Sequence, residues 1–117
     1  MKKQDVIAVL GEPSDDHAGC LGYFDLGFAL LPDKGGSLGF VVCSGGNDKF
    51  KPFAGHTKEG IGIGSSRADL IKVYGEPTAV EPDRYVPTHS TLVYTTRGIK
   101  FRIKEDTVSE IAVTLKP

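Results

Sequence analysis

Alternating glycines ahead of a predicted helix are the first feature of the sequence that could do chemistry. Gly60, Gly62 and Gly64 come directly before Ser65 and Ser66. Free backbone N–H groups at the start of a helix can bind an anion. However, the glycine spacing differs from the dinucleotide-binding fingerprint, and the Gly-Lys pair of a Walker loop is absent. The segment therefore predicts a turn into a helix, with anion binding at Gly62, Gly64, Ser65 and Ser66 as the alternative.

Thiols and imidazoles are the other groups that could bind a metal or act as nucleophile and base. Cys20 and Cys43 allow one disulfide or none. Because Cys43 ends an apolar run, it is predicted to be a buried free thiol, with a Cys20–Cys43 disulfide as the alternative. His17, His56 and His89 each lie in a polar stretch that has neither metal-ligand spacing nor a nucleophile motif. We therefore predict no metal site, no cofactor and no enzyme activity.

The charge balance limits the classes of partner. The 117 residues contain 14 Lys and Arg against 15 Asp and Glu, which gives a net charge of −1. No run of five like charges exists, so we predict no nucleic-acid partner. No apolar stretch reaches the roughly 18 residues of a membrane span. The apolar run from Val6 to Leu10 is also too short for a secretory signal, so the chain alone leaves its localisation open.

Two segments of the chain resemble each other. Residues 1–13, MKKQDVIAVLGEP, align without a gap to residues 65–77, SSRADLIKVYGEP, and six of the thirteen pairs are identical. Average composition would give about one identity by chance. The similarity predicts a first repeat unit over 1–43 that is shortened at its N-terminus, a linker over 44–59 and a second unit over 60–117. Together these would form one compact domain.

Each predicted unit starts with a helix and continues as strands. Ser66 followed by Asp69 is typical of a helix start, and Gly75 followed by Pro77 ends that helix. In the first unit the helix is predicted over 3–10. Short turns between the strands make them antiparallel. The predicted strands cover 21–25, 27–32, 38–43, 92–94, 99–103 and 107–115. The predicted fold class is therefore α+β, a tandem duplication in which each unit is a short helix packed on an antiparallel β-sheet.

The order of these motifs resembles that of a known group. The glycine turn 60–65, the segment Tyr74-Gly75-Glu76-Pro77, an aromatic strand and a closing hairpin resemble the repeat of the β-lactamase inhibitor protein. The same unit occurs in small bacterial envelope lipoproteins of the SmpA/BamE type. The resemblance implies non-enzymatic protein binding through an open sheet face, in the cell envelope or outside the cell. In the inhibitor family each half has its own disulfide, whereas here only the first half has the cysteines to form one.

Alternation along the strands predicts which side chains face the helices. Residues 99, 101 and 103 are apolar and are predicted to face the core, which turns Lys100 and Arg102 outward. The same alternation in the first unit turns Ala29, Leu31, Phe40 and Val42 outward. An exposed apolar patch of this kind usually marks an interface. The alternative is that the linker covers it, with Phe50 or Phe53 as the lid.

The outward residues and two aromatic side chains define a predicted contact surface. Its function would be to bind a protein partner or a second copy of the chain, and binding of a small molecule between the units is the alternative. The predicted contact residues are Tyr23, Leu31, Phe40, Val42, Tyr94, Lys100 and Arg102.

Overall fold

One antiparallel sheet of eight strands forms most of the computed structural model, which describes residues 2–114. In chain order the elements are α1 (Lys3–Leu10), β1 (Asp15–His17), β2 (Cys20–Tyr23), β3 (Phe28–Pro32), β4 (Leu38–Ser44), α2 (Arg67–Tyr74), β5 (Ala79–Pro82), β6 (His89–Tyr94), β7 (Ile99–Lys104) and β8 (Thr107–Thr114). The sheet order is β1-β2-β3-β4-β8-β7-β6-β5. A short 3₁₀ turn at Thr95–Arg97 joins β6 to β7.

The predicted fold class, α+β with two tandem units of a helix on a sheet, is wrong. The structure is mostly a single eight-stranded antiparallel sheet, and its two α-helices have only eight residues each. The physical reason is the pairing of β4 with β8 from Phe40–Thr114 to Ser44–Glu110, because this ladder runs across the boundary between the predicted units. The division at 43 and 60 stays a prediction. Leu115, predicted as the end of the last strand, lies outside the described residues.

The two edge strands were not predicted. In β1 and β5 every residue is exposed, so neither strand alternates between apolar and polar side chains in the way that a half-buried strand does. The six predicted strands all exist, with bounds that differ from the predicted ones by a few residues.

Local sequence sets the helix bounds as predicted. The Ser66 hydroxyl accepts a hydrogen bond from the Asp69 N–H at 3.0 Å, which satisfies one of the free donors at the start of α2. Gly75 follows the last turn with φ of 82°, and its N–H donates to Ile71 O at 2.7 Å. Gly11 ends α1 in the same way, with φ of 84°. Because only glycine adopts these angles without strain, both helices stop there.

Both helices pack on one face of the sheet, and the core lies between the helices and that face. Val6 of α1 packs against buried residues of β2, β3 and β4, and Leu70 of α2 packs against those of β4, β6, β7 and β8. Two β-bulges keep this face continuous. The extra residue is Gly39 in β4 and Ser109 in β8, and each returns the preceding residue, Leu38 or Val108, to the core.

The segment between β4 and α2 crosses the end of the first strands. The Lys51 N–H donates to Phe24 O and the Phe53 N–H donates to Ser44 O, both at 2.9 Å. Phe53 packs edge-on against Phe28, with 6.3 Å between ring centroids.

Within residues 2–114, no helix is long and apolar enough to cross a membrane.

Candidate functional site

The sheet surface opposite the helices, which we call the open face, carries an apolar strip in its centre. The apolar strip consists of Ala29, Leu31, Phe40 and Val42 on β3 and β4, all directed away from the helices. Phe40 is 42% exposed although β4 is the fourth of eight strands, and its cross-strand neighbours are Leu31 and Thr114. A large apolar side chain is therefore accessible in the middle of the sheet rather than at an edge.

Charged side chains border the apolar strip along β7 and β8. Val42 lies opposite Ala112, which lies opposite the exposed Lys100. In the next row Glu110 lies opposite Arg102. The predicted border residues Lys100 and Arg102 are therefore on the open face, together with Glu110, which was not among the predicted contact residues.

Asp83 fixes the position of the Arg102 side chain. Arg102 Nη2 donates to Asp83 Oδ2 at 2.8 Å. The other carboxylate oxygen accepts hydrogen bonds from the N–H groups of Tyr85 and Val86, at 2.8 and 2.9 Å. These two hydrogen bonds, followed by the charge of Arg102, lower the pKa of Asp83. The sequence signal that could have found this residue is the Pro82-Asp83 pair, which is typical of a turn.

Part of the open face is covered by the segment that follows β4. The rings of Phe24 and Phe50 pack edge to face with 4.7 Å between centroids. They lie over Gly22, where an added Cβ would come within 2.9 Å of the Phe24 ring and 3.5 Å of Phe50. Phe53 instead packs on the helix side. Phe50 is thus a partial lid over β2, and it leaves Phe40 accessible.

The two tyrosines of the predicted contact surface are not on the open face. Tyr23 and Tyr94 are each 4% exposed and belong to the core under the helices. The Tyr23 hydroxyl donates to Gly11 O at 3.0 Å, and the Tyr94 hydroxyl donates to Gly75 O at 2.9 Å. Burial raises the pKa of both phenols. The reason is the register, since both residues have the same parity as the core positions of their strands.

Backbone N–H groups of the predicted anion-binding segment donate hydrogen bonds to acceptors within the protein. The N–H of Gly62 donates to Ser65 Oγ at 3.0 Å, and the N–H of Gly64 donates to Val108 O at 2.8 Å. Ser65 donates its N–H to Gly62 O, and the Ser66 hydroxyl caps α2. These hydrogen bonds fix the turn into the helix and occupy the N–H groups of Gly62, Gly64 and Ser65.

Cys20 and Cys43 are both free thiols. Their strands, β2 and β4, flank β3 and are therefore about 9.5 Å apart. Cys43 is level with Tyr23, three residues along β2 from Cys20, so the two thiols are beyond the reach of a disulfide. Burial, followed by the charge of Glu110, raises the pKa of Cys43 to about 11. The structure therefore agrees with the buried free thiol and not with the disulfide. Residues 2–114 contain no cluster of three or more potential metal ligands.

An open antiparallel sheet with two short helices on one face is the structural class of this chain. No protein-family model and no curated protein matches the sequence. Among solved structures, the chain is similar to a DUF4309 family protein, YjgB, from Bacillus subtilis subsp. subtilis strain 168. The TM-score is 0.63 at 18% sequence identity, over 98% of this chain and 78% of that chain. At this identity the likeness shows the fold alone. The resemblance to the β-lactamase inhibitor protein and to SmpA/BamE lipoproteins stays a prediction.

Proposed function

We propose that the chain is a non-enzymatic binding module that docks a protein partner on its open face. The observation that carries the proposal is Phe40, an aromatic side chain that is 42% exposed in the middle of an eight-stranded sheet. Leu31, opposite Phe40 on β3, and Val42, two residues further along β4, extend the apolar surface. Exposed apolar surface that is continuous rather than scattered supports an interface.

The arrangement of polar groups supports the same proposal. An apolar centre with a charged rim is the usual composition of a protein interface. Here Lys100, Arg102 and Glu110 form the rim on one side of the apolar strip. Asp83 holds Arg102 in place, so the side chain loses little conformational freedom when a partner binds.

Phe40 is the expected energetic centre of this interface. Aromatic side chains in the middle of a contact contribute about 2 kcal/mol or more when truncated, which corresponds to about thirtyfold in Kd. Phe40→Asp should have a larger effect, because the partner would then bury an unpaired charge. Since position 40 is exposed, the variant should keep its fold and its circular dichroism spectrum.

The test compares the native chain with Phe40→Asp and with a matched control, Val73→Asp. Val73 is 43% exposed and lies on α2, on the other side of the sheet. A partner from an extract of the source cells should be retained by the immobilised native chain and by Val73→Asp, but not by Phe40→Asp. Equal retention by all three would contradict the proposal. Sedimentation velocity of the purified chain identifies the case in which the partner is a second copy.

A further inference from the structure

A polar cleft at one end of the sheet contains none of the apolar strip residues, although it shares Arg102 and Glu110 with the charged rim of that strip. This cleft, which we call the end cleft, has a volume of about 490 Å³ and lies where β4 ends, β6 begins and β7 turns into β8. The volume falls in the usual range of small-ligand sites. His89, Arg102, Lys104 and Glu110 line it, together with glycines at 45, 46 and 64. Backbone without side chains lets a ligand approach closely.

The strand register brings three nitrogen-bearing side chains into the end cleft. His89 lies directly opposite Lys104, and Arg102 is two residues before Lys104 on the same strand. Residues two apart on a strand project from the same face. Lys104 makes no ion pair within residues 2–114. Arg102 uses one of its five N–H donors on Asp83, so a preorganised guanidinium keeps donors for a ligand.

The His89 ring provides a second, independent observation. Its Nδ1 is buried and has no hydrogen-bond partner among the described residues. Buried polar atoms without a partner are rare in folded proteins, because the loss of water is then not compensated. The backbone of His89 is fixed at both ends, since its N–H donates to Val86 O at 2.9 Å and its carbonyl accepts from Asp83 N at 3.0 Å. The His89 ring thus stands in the wall of the end cleft, while its Nδ1 is buried and unpaired.

We propose that the end cleft binds a small oxyanion, a carboxylate or a phosphate, between Lys104, Arg102 and His89. Lysine and arginine are the side chains that proteins use for these groups, and arginine adds the planar geometry of two parallel hydrogen bonds. Glu110 faces the same cleft, so the preferred ligand also carries a hydroxyl that donates to this carboxylate. The site does not depend on the proposed protein-binding function.

Amide NMR titration of the full chain tests the site. The probes are inorganic phosphate and citrate, each at ionic strength balanced with sodium chloride. We expect saturable shifts at His89 and Lys104 for at least one probe, and the responding probe identifies the ligand as a phosphate or a carboxylate. Lys104→Gln should weaken this binding about tenfold or more. Lys72→Gln, which changes the same charge on α2, should leave it within about twofold.

Two results would overturn the oxyanion site. One is the absence of saturation with both probes, and the other is equal weakening by the two lysine variants, which would indicate a general charge effect. Phe40→Asp separates this site from the protein-binding face, because the variant should lose the partner and keep the oxyanion shifts. A Phe40→Asp chain that loses the shifts while its circular dichroism is unchanged would also contradict the assignment.

Discussion

Replacing Gly27 with alanine tests how the segment after β4 is placed, and with it the partial cover of the open face. Gly27 has φ of +80°, and an added Cβ would lie 2.5 Å from Lys51 O and 2.6 Å from Phe53 N. Both contacts are to backbone atoms, so the segment has to move. Gly36 is the matched control, because its φ is +84° and an added Cβ would meet nothing within 4 Å.

Both substitutions place an alanine in a left-handed backbone conformation, but only the one at Gly27 also forces a methyl group against packed backbone. A left-handed alanine costs about 1–2 kcal/mol at either position. Forcing a methyl group against packed backbone adds about 1–3 kcal/mol at Gly27 alone. We therefore expect the free energy of unfolding to fall by about 1–2 kcal/mol for Gly36→Ala and by about 2–5 kcal/mol for Gly27→Ala.

Urea unfolding followed by far-ultraviolet circular dichroism measures the difference, and the chain has no tryptophan that would serve as a fluorescent probe. The midpoints should shift while the slope with urea stays constant. Equal losses for the two variants would refute the reasoning, because the segment carrying Phe50 and Phe53 would then not pass Gly27. The Phe50 lid over Gly22 would lose its support as well.

Three further predictions concern thiols, a buried phenol and a carboxylate. A thiol reagent at neutral pH should label Cys20 and leave Cys43 unmodified until the chain unfolds or the pH approaches 11. Mass spectrometry of the labelled peptides measures this, and fast labelling of both cysteines would contradict the burial of Cys43. Tyr94→Phe should lower the free energy of unfolding by about 0.5–1.5 kcal/mol, whereas Tyr85→Phe, at a residue that is 84% exposed, should not change it. Because the folded-state pKa of Asp83 is lowered, its stabilising contribution is present above the ordinary value of 3.8 and is lost as the pH falls through the folded value. The stability difference between the native chain and Asp83→Asn, from urea titrations at several pH values, should therefore narrow below pH 3.8, and a difference that is constant with pH would contradict this.

Local signals predicted the helices and the inner strands. Ser66 with Asp69 set the start of α2, and Gly11 and Gly75 set the two helix ends, because capping and positive φ depend on neighbouring residues only. The alternation of β7 placed Lys100 and Arg102 opposite the core, as the structure has them.

Long-range pairing could not be predicted in the same way. The residue types in β4 and β8 do not indicate that these two strands pair. Their hydrogen-bonded ladder joins the two predicted units into one sheet. The edge strands β1 and β5 could not be predicted either, because their residues do not alternate between buried and exposed positions.

Only part of the candidate site could be predicted, because strand alternation is a local signal whereas register and long-range contacts are not. Leu31, Phe40 and Val42 follow from strand parity. Tyr23 and Tyr94 were placed on the wrong side because an aromatic residue at the end of a strand fits either face until the register is known. The Pro82-Asp83 pair indicates a turn, but the contacts of Asp83 with Arg102 and of Phe24 with Phe50 join residues far apart in the sequence, so no local spacing reveals them.

Photo-cross-linking from two positions tests most directly whether the open face binds a protein. A benzophenone side chain is placed at position 40 or at position 73, which are 42% and 43% exposed on opposite sides of the sheet. Irradiation of the source cells should give a discrete adduct, a partner or a second copy, from position 40 and not from position 73. Adducts of the same identity and yield from both positions, or none from position 40, would contradict the proposed binding face.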